Sequence, residues 1–131
     1  MEAMVKDLTL EYVAAVSDKR FDRLAELVHP EATFGGTVKQ ESTGAEAFID
    51  GFRNLAPILL RSEVRSVVAE EDRAFVMYDF VTDTPAGAVL CGELLTFDNG
   101  RIRSSTLIFD WRRWPEAIAE LQRRQLVPAS S

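Results

Sequence analysis

Apolar residues recur at helical spacing in the first part of the chain. Residues 4–17 predict an amphipathic helix, because apolar side chains return every three or four positions: Val5, Leu8, Tyr12, Ala15 and Val16. A shorter stripe predicts a second helix at about 20–28, which the pair His29-Pro30 ends. The stretch "ATF" then predicts a short strand that stops at Gly35 and Gly36.

The segment "STGAEAFIDGFRNL" predicts a third helix from about residue 44 to residue 55, which ends before Pro57. Thr43 and Glu46 have the spacing of a capping box. In that motif the hydroxyl accepts from first-turn amides while the glutamate reaches back to the N-cap amide. We therefore expect Thr43 to begin this helix.

From residue 60 onward the pattern changes to strand-like segments rich in Val, Phe, Leu, Tyr and Thr. Four of them are separated by "EED", "TPAG" and "NG", and they cover residues 60–71, 73–83, 88–98 and 101–111. Such short turn sequences are typical of hairpins, so we expect an antiparallel meander. A last helix is predicted at about 115–127, where Pro115 lies near the start.

Helices followed by a meander predict an α+β domain, with the helices packed on one face of a curved antiparallel sheet. A chain of 131 residues is long enough to bury a core as one domain. We therefore expect a single domain over residues 1–131, with a core at about 4–112 followed by the C-terminal helix.

The middle strands carry apolar residues on both parities. Phe75 and Met77 alternate with Val76, Tyr78 and Phe80, so both faces of the sheet are expected to be covered. The helices can cover only one face. We expect a second copy of the chain to cover the other, giving a homodimer through the sheet.

Composition narrows the choice of partners and sites. The net charge is −6 and the sequence pI about 4.8, without a basic stripe, which argues against nucleic acid or an anionic membrane as partner. No apolar run reaches the roughly 18 residues of a membrane span, and the acidic opening "MEAMVKDLTLEY" is unlike a secretory signal. A cytoplasmic location is the expectation. One cysteine and one histidine without ligand spacing predict no metal site, and we expect no cofactor.

One carboxylate, Glu93, interrupts the apolar stretch "AVLCGELLTFD". A buried acid has to pair, accept hydrogen bonds or take up a proton. If Thr84–Gly87 is a four-residue turn, Tyr78 lies opposite Glu93, on a mostly apolar face shared with Cys91. Glu93 is then either an acid that lines a pocket or a structural acid satisfied by Tyr78 or by Arg103.

The last hairpin allows two registers. A two-residue turn at Asn99-Gly100 places Ser104, Ile108 and Asp110 on the face of Glu93. A three-residue loop beginning at Asp98 places Ser105, Leu107 and Phe109 there instead. The choice decides whether Asp110 belongs to the site.

The order of these elements, with the segments "YVAAV", "LVHPEATF", "STGAEAFIDGF", "TFDNGRI" and "FDW", resembles the SnoaL-like polyketide cyclase and ketosteroid isomerase superfamily, also called nuclear transport factor 2-like. The resemblance implies a cystatin-like cone in which helices close over a curved sheet and leave a deep apolar pocket, often in a dimer. It covers residues 4 to 112.

The resemblance also implies site residues. Tyr12 and Glu93 fall where the isomerases carry two donors to the oxyanion, the second being a neutral carboxylic acid, which is a standard example of such tuning. The isomerase base aligns with Gly36, which has no side chain, and the cyclase acid falls near Leu107. Asp110 is the remaining candidate base. The side chains expected to bind ligand are Tyr78, Phe34, Phe52, Phe80 and Cys91.

Three hypotheses for function follow. The first is an isomerase-type or cyclase-type enzyme acting on an apolar carbonyl compound, with Tyr12 and Glu93 donating to its oxygen and Tyr78 orienting Glu93. The second is a non-catalytic module that binds a small apolar molecule. The third is a structural dimer whose pocket is filled by side chains. For His29, Cys91, Trp111 and Trp114 we expect structural roles.

Overall fold

The structure, a computed structural model, describes residues 1–36 and 42–126. Four helices and six strands lie in this part of the chain: α1 (Glu2–Ser17), α2 (Phe21–Leu27), β1 (Val28–Gly36), β2 (Ser42–Thr43), α3 (Ala45–Leu55), β3 (Leu59–Glu70), β4 (Arg73–Thr82), β5 (Ala88–Asp98), β6 (Arg101–Phe109) and α4 (Trp114–Leu126). The predicted helices and the meander are confirmed. Strand β1 is longer than expected, since it also contains His29 and Pro30. Residue 127, the predicted end of the last helix, lies outside the described residues.

The six strands form one curved sheet in the order β2-β1-β6-β5-β4-β3. Strands β3 to β6 make the expected antiparallel meander, whereas β1 pairs with β6 in parallel. The parallel pair arises because β1 comes from the helical half of the chain and reaches the sheet beside its last strand. The α+β cone with helices on one face is therefore confirmed. Among the described residues, no helix has the length and apolar character needed to cross a membrane.

The start of α3 differs from the prediction. Its N-cap is Gly44, at a φ of 109° that favours glycine, and no side chain caps the helix. Thr43 lies in β2 and pairs with Thr33 of β1. The capping-box interpretation was wrong, because the threonine is held in the sheet and the chain turns into the helix at the glycine.

The register of the β4–β5 hairpin differs from the prediction by two residues. Cys91, and not Glu93, is the partner of Tyr78, and Glu93 is the partner of Val76. The turn is longer than four residues, and Gly87 adopts a left-handed φ of 62° in it. Since side chains alternate with a period of two, a slip of two leaves every residue on its predicted face.

The β5–β6 hairpin combines parts of both registers considered above. Asp98 pairs with Arg101 across a two-residue turn, in which Asn99 and Gly100 both have positive φ. A β-bulge then intervenes, since Phe97 pairs with Ile102 while Thr96 pairs with Ser104. The extra residue reverses the facing of β6 beyond the bulge. Ser105, Leu107 and Phe109 therefore share the face of Glu93.

Candidate site around a buried glutamate

Glu93 lies on the concave face of the sheet, beneath the helices, and is only 1% exposed. Both of its carboxyl oxygens accept hydrogen bonds from hydroxyl groups. The phenol of Tyr78 donates to Oε1 over 2.9 Å, and Tyr12 and Ser105 each donate to Oε2 over 2.6 Å. We call Glu93 and these three hydroxyl residues the acid cluster.

The members of the acid cluster come from four elements of the fold. Tyr12 lies on the buried face of α1, which packs over the sheet. Tyr78 lies two residues along β4 from the partner of Glu93, within diagonal reach of a long side chain. Ser105 reaches Glu93 because the bulge turns it to the concave face. A slip of one residue in either hairpin would disperse the cluster.

Burial governs the charge of this cluster. Desolvation raises the pKa of Glu93 above its ordinary value, while the hydroxyls of Ser105, Tyr12 and Tyr78 lower it in part. The phenols have raised pKa values because they are buried beside this acid. Among the described residues, no ion pair involves Glu93. Hydroxyl dipoles therefore stabilise the carboxyl without an opposite charge. Glu93 can gain or lose a proton without breaking an ion pair.

A cavity of about 430 Å³ lies beside the acid cluster and is bordered by Glu93, Tyr78 and Ser105. Aromatic rings form much of its wall: Phe34, Phe48, Phe52, Phe80, Phe109 and Trp114. Helix α4 covers one side with Trp114, Ile118 and Leu121, and the Trp114 ring packs edge-on against Phe109 with 5.3 Å between centroids. The cavity is therefore mainly apolar with one polar patch, and side chains do not fill it.

The structure brings all five of the predicted ligand-binding side chains to this cavity, namely Tyr78, Phe34, Phe52, Phe80 and Cys91, together with Glu93. Tyr12 does not border it. Its ring packs against Phe48 and Phe52, with ring centroids 6.1 Å apart in both cases. Its hydroxyl donates to Glu93 without lining the cavity. The sequence led us to expect direct contact between Tyr12 and a ligand, but Tyr12 does not line the cavity.

Asp110 lies apart from the other predicted catalytic residues. It follows the end of β6, and its carboxylate pairs with Arg112 over 2.6 Å at the surface. Hydrogen bonds from Arg112 lower the pKa of Asp110 to about 2. The bulge in β6 explains the placement, because it turns the odd-numbered residues toward Glu93 and leaves Asp110 outside the cavity wall.

Gly36, the position where the resemblance implied the isomerase base, borders the cavity where β1 lies against β6. A Cβ atom at this position would stand 1.9 Å from the carbonyl oxygen of Leu107. The backbone of β1 is thus too close to β6 for any side chain. The described cavity wall contains no carboxylate besides Glu93.

The remaining candidates have structural partners. Arg103 donates to the backbone oxygen of Glu31 and does not reach Glu93. His29 accepts the amide proton of Glu31 at Nδ1 over 3.0 Å. Burial raises the pKa of the Cys91 thiol to about 12, so it behaves as a small apolar side chain. Within residues 1–36 and 42–126, no three His, Cys, Asp or Glu side chains form a group that could hold a metal.

Sequence reasoning missed two parts of the site. Ser105 appeared only in one of two alternative registers, because a bulge leaves no simple signal in the pattern. The contribution of α4 was also missed, although Ile118 and Leu121 form a visible apolar stripe. That stripe indicates a buried helix face without indicating what it covers.

Comparison with known proteins supports the architecture. A crystal structure of a protein from Kribbella flavida DSM 17836 is 27% identical, with a TM-score of 0.79 over 90% of this chain and 96% of that chain. An NTF2-like protein from Cytophaga hutchinsonii ATCC 33406 is 20% identical, with a TM-score of 0.73 over 86% and 95% of the two chains. A steroid delta-isomerase from Pseudomonas aeruginosa is 16% identical, with a TM-score of 0.73 over 96% and 93%.

These likenesses to an NTF2-like protein and to a steroid delta-isomerase show the fold. A comparison with curated protein sequences finds no match. The model of the SnoaL-like domain family matches residues 9–105, which include the helices α2 and α3 and most of the sheet. Because this match spans well over half of the chain, the protein belongs to the SnoaL-like family.

Proposed function

We propose that this protein binds a small, mainly apolar molecule that carries one polar oxygen, in the cavity beside Glu93. The observation that carries the proposal is the acid cluster, set into a wall that is otherwise largely aromatic and aliphatic. A cavity of about 430 Å³ is large enough for a compact organic molecule. The acid cluster would bind the oxygen, and the rings would bind the hydrocarbon part.

The shape of the wall favours a cyclic ligand. Rings from β1, α3, β4, β6 and α4 line the cavity, and some of them pack edge-on against each other. Flat or cyclic hydrocarbon presents the area that aromatic walls bury well. A carbonyl at one end of such a ligand would be directed to Tyr78 and Ser105, the hydroxyl residues of the acid cluster that border the cavity.

A second candidate function is proton transfer of the isomerase or cyclase type. It is favoured by one observation: the acid whose pKa is raised by burial borders the cavity. Since Glu93 is the sole carboxylate of the described wall, it would have to remove a proton next to the ligand carbonyl and return it elsewhere. All three hydroxyls donate to Glu93 while it is ionised, so one of them would turn to the ligand oxygen, and stabilise the charge that develops there, as Glu93 takes up the ligand proton.

The binding proposal predicts that a larger side chain in the cavity weakens binding. Gly51 lies in α3 and borders the cavity, and a Cβ atom there would meet nothing within 4 Å. We expect Gly51→Leu to weaken binding of the bicyclic ketone decalone at least about tenfold, because the leucine takes its place. Fluorescence of Trp114, which lines the cavity, reports the titration. The matched control is Glu46→Leu, which adds the same side chain on the exposed side of α3.

Equal affinity in Gly51→Leu and wild type would contradict the proposed site, and absence of binding to wild type would contradict the choice of ligand class. The same samples test the second candidate. Protons next to the decalone carbonyl should exchange with deuterated solvent faster in the presence of the protein, as seen by NMR. Exchange that stays at the rate of buffer alone leaves binding as the function.

We also propose that the outer face of the sheet binds a second copy of the chain. Six apolar side chains lie on this face: Val68, Phe75, Met77, Leu90, Leu94 and Ile108. Val68 is 62% exposed and Ile108 is 51% exposed. Exposed apolar patches on a sheet are typical of interfaces, and two such faces can stack.

The homodimer proposal predicts a dimer by light scattering at micromolar concentration. Leu94→Glu together with Ile108→Glu should make the protein monomeric, because charges at the centre of the patch would lose their water on association. Met4→Glu, on the exposed side of α1, is the matched control and should leave the dimer intact. A wild-type protein that is monomeric at this concentration would refute the proposal.

A further inference from the structure

The acid cluster contains a fixed number of protons, and this number limits what a ligand can find there. When Glu93 is ionised, it has no proton of its own. Tyr12, Tyr78 and Ser105 each carry one hydroxyl proton and each donates it to the carboxylate. All hydroxyl protons of the cluster are then in use. An incoming ketone oxygen, which can only accept, finds no donor.

The neutral cluster has one proton more than it has internal contacts. Three oxygen–oxygen contacts join Glu93 to its partners, and the neutral acid and three hydroxyls together supply four protons. One O–H is therefore released. Glu93, Tyr78 and Ser105 all border the cavity, so the released donor can turn to the ligand.

Other groups near Glu93 do not supply that proton. The titratable groups that face it are Tyr12 from α1, Tyr78 from β4 and Cys91 from β5, while β6 contributes Ser105. The Cys91 thiol points its proton at the backbone oxygen of Val89 over 3.5 Å. The described cavity wall includes no lysine, arginine or histidine. Asn54 and Trp114 line it from the helices, outside the acid cluster.

We infer that a ketone occupies this cluster only together with one additional proton, whereas an alcohol, which brings its own donor, occupies it with the acid ionised. The inference rests on the proposed binding function and specifies its ligand chemistry. An alcohol hydroxyl can donate to a free lone pair of the carboxylate, of which the three hydroxyls leave one unfilled. The two ligands thus select opposite protonation states of Glu93.

The test compares decalone with the matching alcohol decalol on the full chain. Titrations from pH 5 to pH 10 should show decalone affinity falling about tenfold per pH unit above the pKa of free Glu93, while decalol affinity rises up to that pKa and then levels. Carbon-13 NMR of the labelled Glu93 carboxyl should show a higher pKa in the decalone complex than in the decalol complex. Equal protonation of Glu93 in both complexes would overturn the inference.

Two variants sharpen the test. Glu93→Gln cannot titrate, so the affinities for both ligands should become independent of pH. Tyr12→Phe removes a donor to Glu93 that does not border the cavity, so the opposite pH trends should persist and shift to higher pH. If both ligands bind wild type with the same pH profile, the inference fails and the binding proposal stands. If neither ligand binds at any pH, the binding proposal fails and the inference fails with it.

Discussion

Alanine in place of Gly36 is expected to lower the free energy of unfolding by about 3 kcal/mol, at the upper end of the cost of overpacking. The new Cβ atom would stand 1.9 Å from the carbonyl oxygen of Leu107 and 2.8 Å from its carbonyl carbon. Both are backbone atoms, so no rotamer change can relieve the contact. Strands β1 and β6 would have to separate where they pair in parallel.

Urea unfolding followed by circular dichroism measures this loss. Gly51→Ala is the matched control, because a Cβ atom there meets nothing within 4 Å and the position is inside α3. Helix propensity predicts that this control gains roughly 0.5–1 kcal/mol. A Gly36→Ala protein as stable as wild type would show that β1 does not approach β6 as closely as described.

The contact at Gly36 also bears on the chemistry of the cavity. The family resemblance implied the isomerase base at this position, and here the backbone of β6 occupies the space that a side chain would need. The missing base is therefore not a single substitution away. Among the described residues of the cavity wall, Glu93 is the carboxylate that a proton transfer could use, and it would have to act both as base and as acid.

The facing of side chains on β4 and β5 could be predicted from the sequence, but their register could not. Alternation of Val76, Tyr78 and Phe80 with Phe75 and Met77 defines two faces whatever the pairing. The turn after Thr82 is longer than "TPAG" suggests, and this moved the partner of Tyr78 by two residues. Tyr78 still lies close to Glu93, because a register shift of two residues keeps both side chains on the same face of the sheet.

The facing of β6 could not be predicted, because it depends on a bulge. The pair Asn99-Gly100 forms the two-residue turn that was one of the two alternatives, and from that turn alone Asp110 would share the face of Glu93. The added residue before Ser104 reverses that outcome and brings Ser105 to the acid instead. Bulges follow from the competition between turn geometry and burial on both faces, which no local pattern records.

The cavity itself is a tertiary property. Its wall combines rings from β1, α3, β4 and β6 with the apolar stripe of α4. Each apolar face was visible as an amphipathic pattern in the sequence. The same faces could have packed directly against each other and left no cavity. The family resemblance implied a pocket, whereas periodicity alone predicted only a buried face.

Wild-type protein is expected to lose stability relative to Glu93→Gln as the pH rises above about 4.3, the ordinary pKa of a glutamate in an unfolded chain. Burial raises the pKa of Glu93 in the folded state. As the pH rises, the unfolded chain therefore loses this proton first. The free energy of unfolding then decreases until the pH passes the pKa of Glu93 in the folded state. Within that window the expected slope is about 1.4 kcal/mol per pH unit.

The sign of this pH dependence shows which form of Glu93 the folded protein stabilises, the neutral acid or the carboxylate. The stability that depends on a neutral Glu93 is fully present below the unfolded pKa and is lost as the pH rises through the folded pKa. Urea unfolding from pH 4 to pH 9 gives the difference between wild type and Glu93→Gln, and Glu46→Gln, which removes a charge from the exposed side of α3, is the reference. A difference that grows in favour of wild type with rising pH would mean that Tyr12, Tyr78 and Ser105 hold the ionised form more strongly than burial opposes it. The acid cluster would then stabilise the ionised form of Glu93, and alcohols would be its preferred ligands at neutral pH.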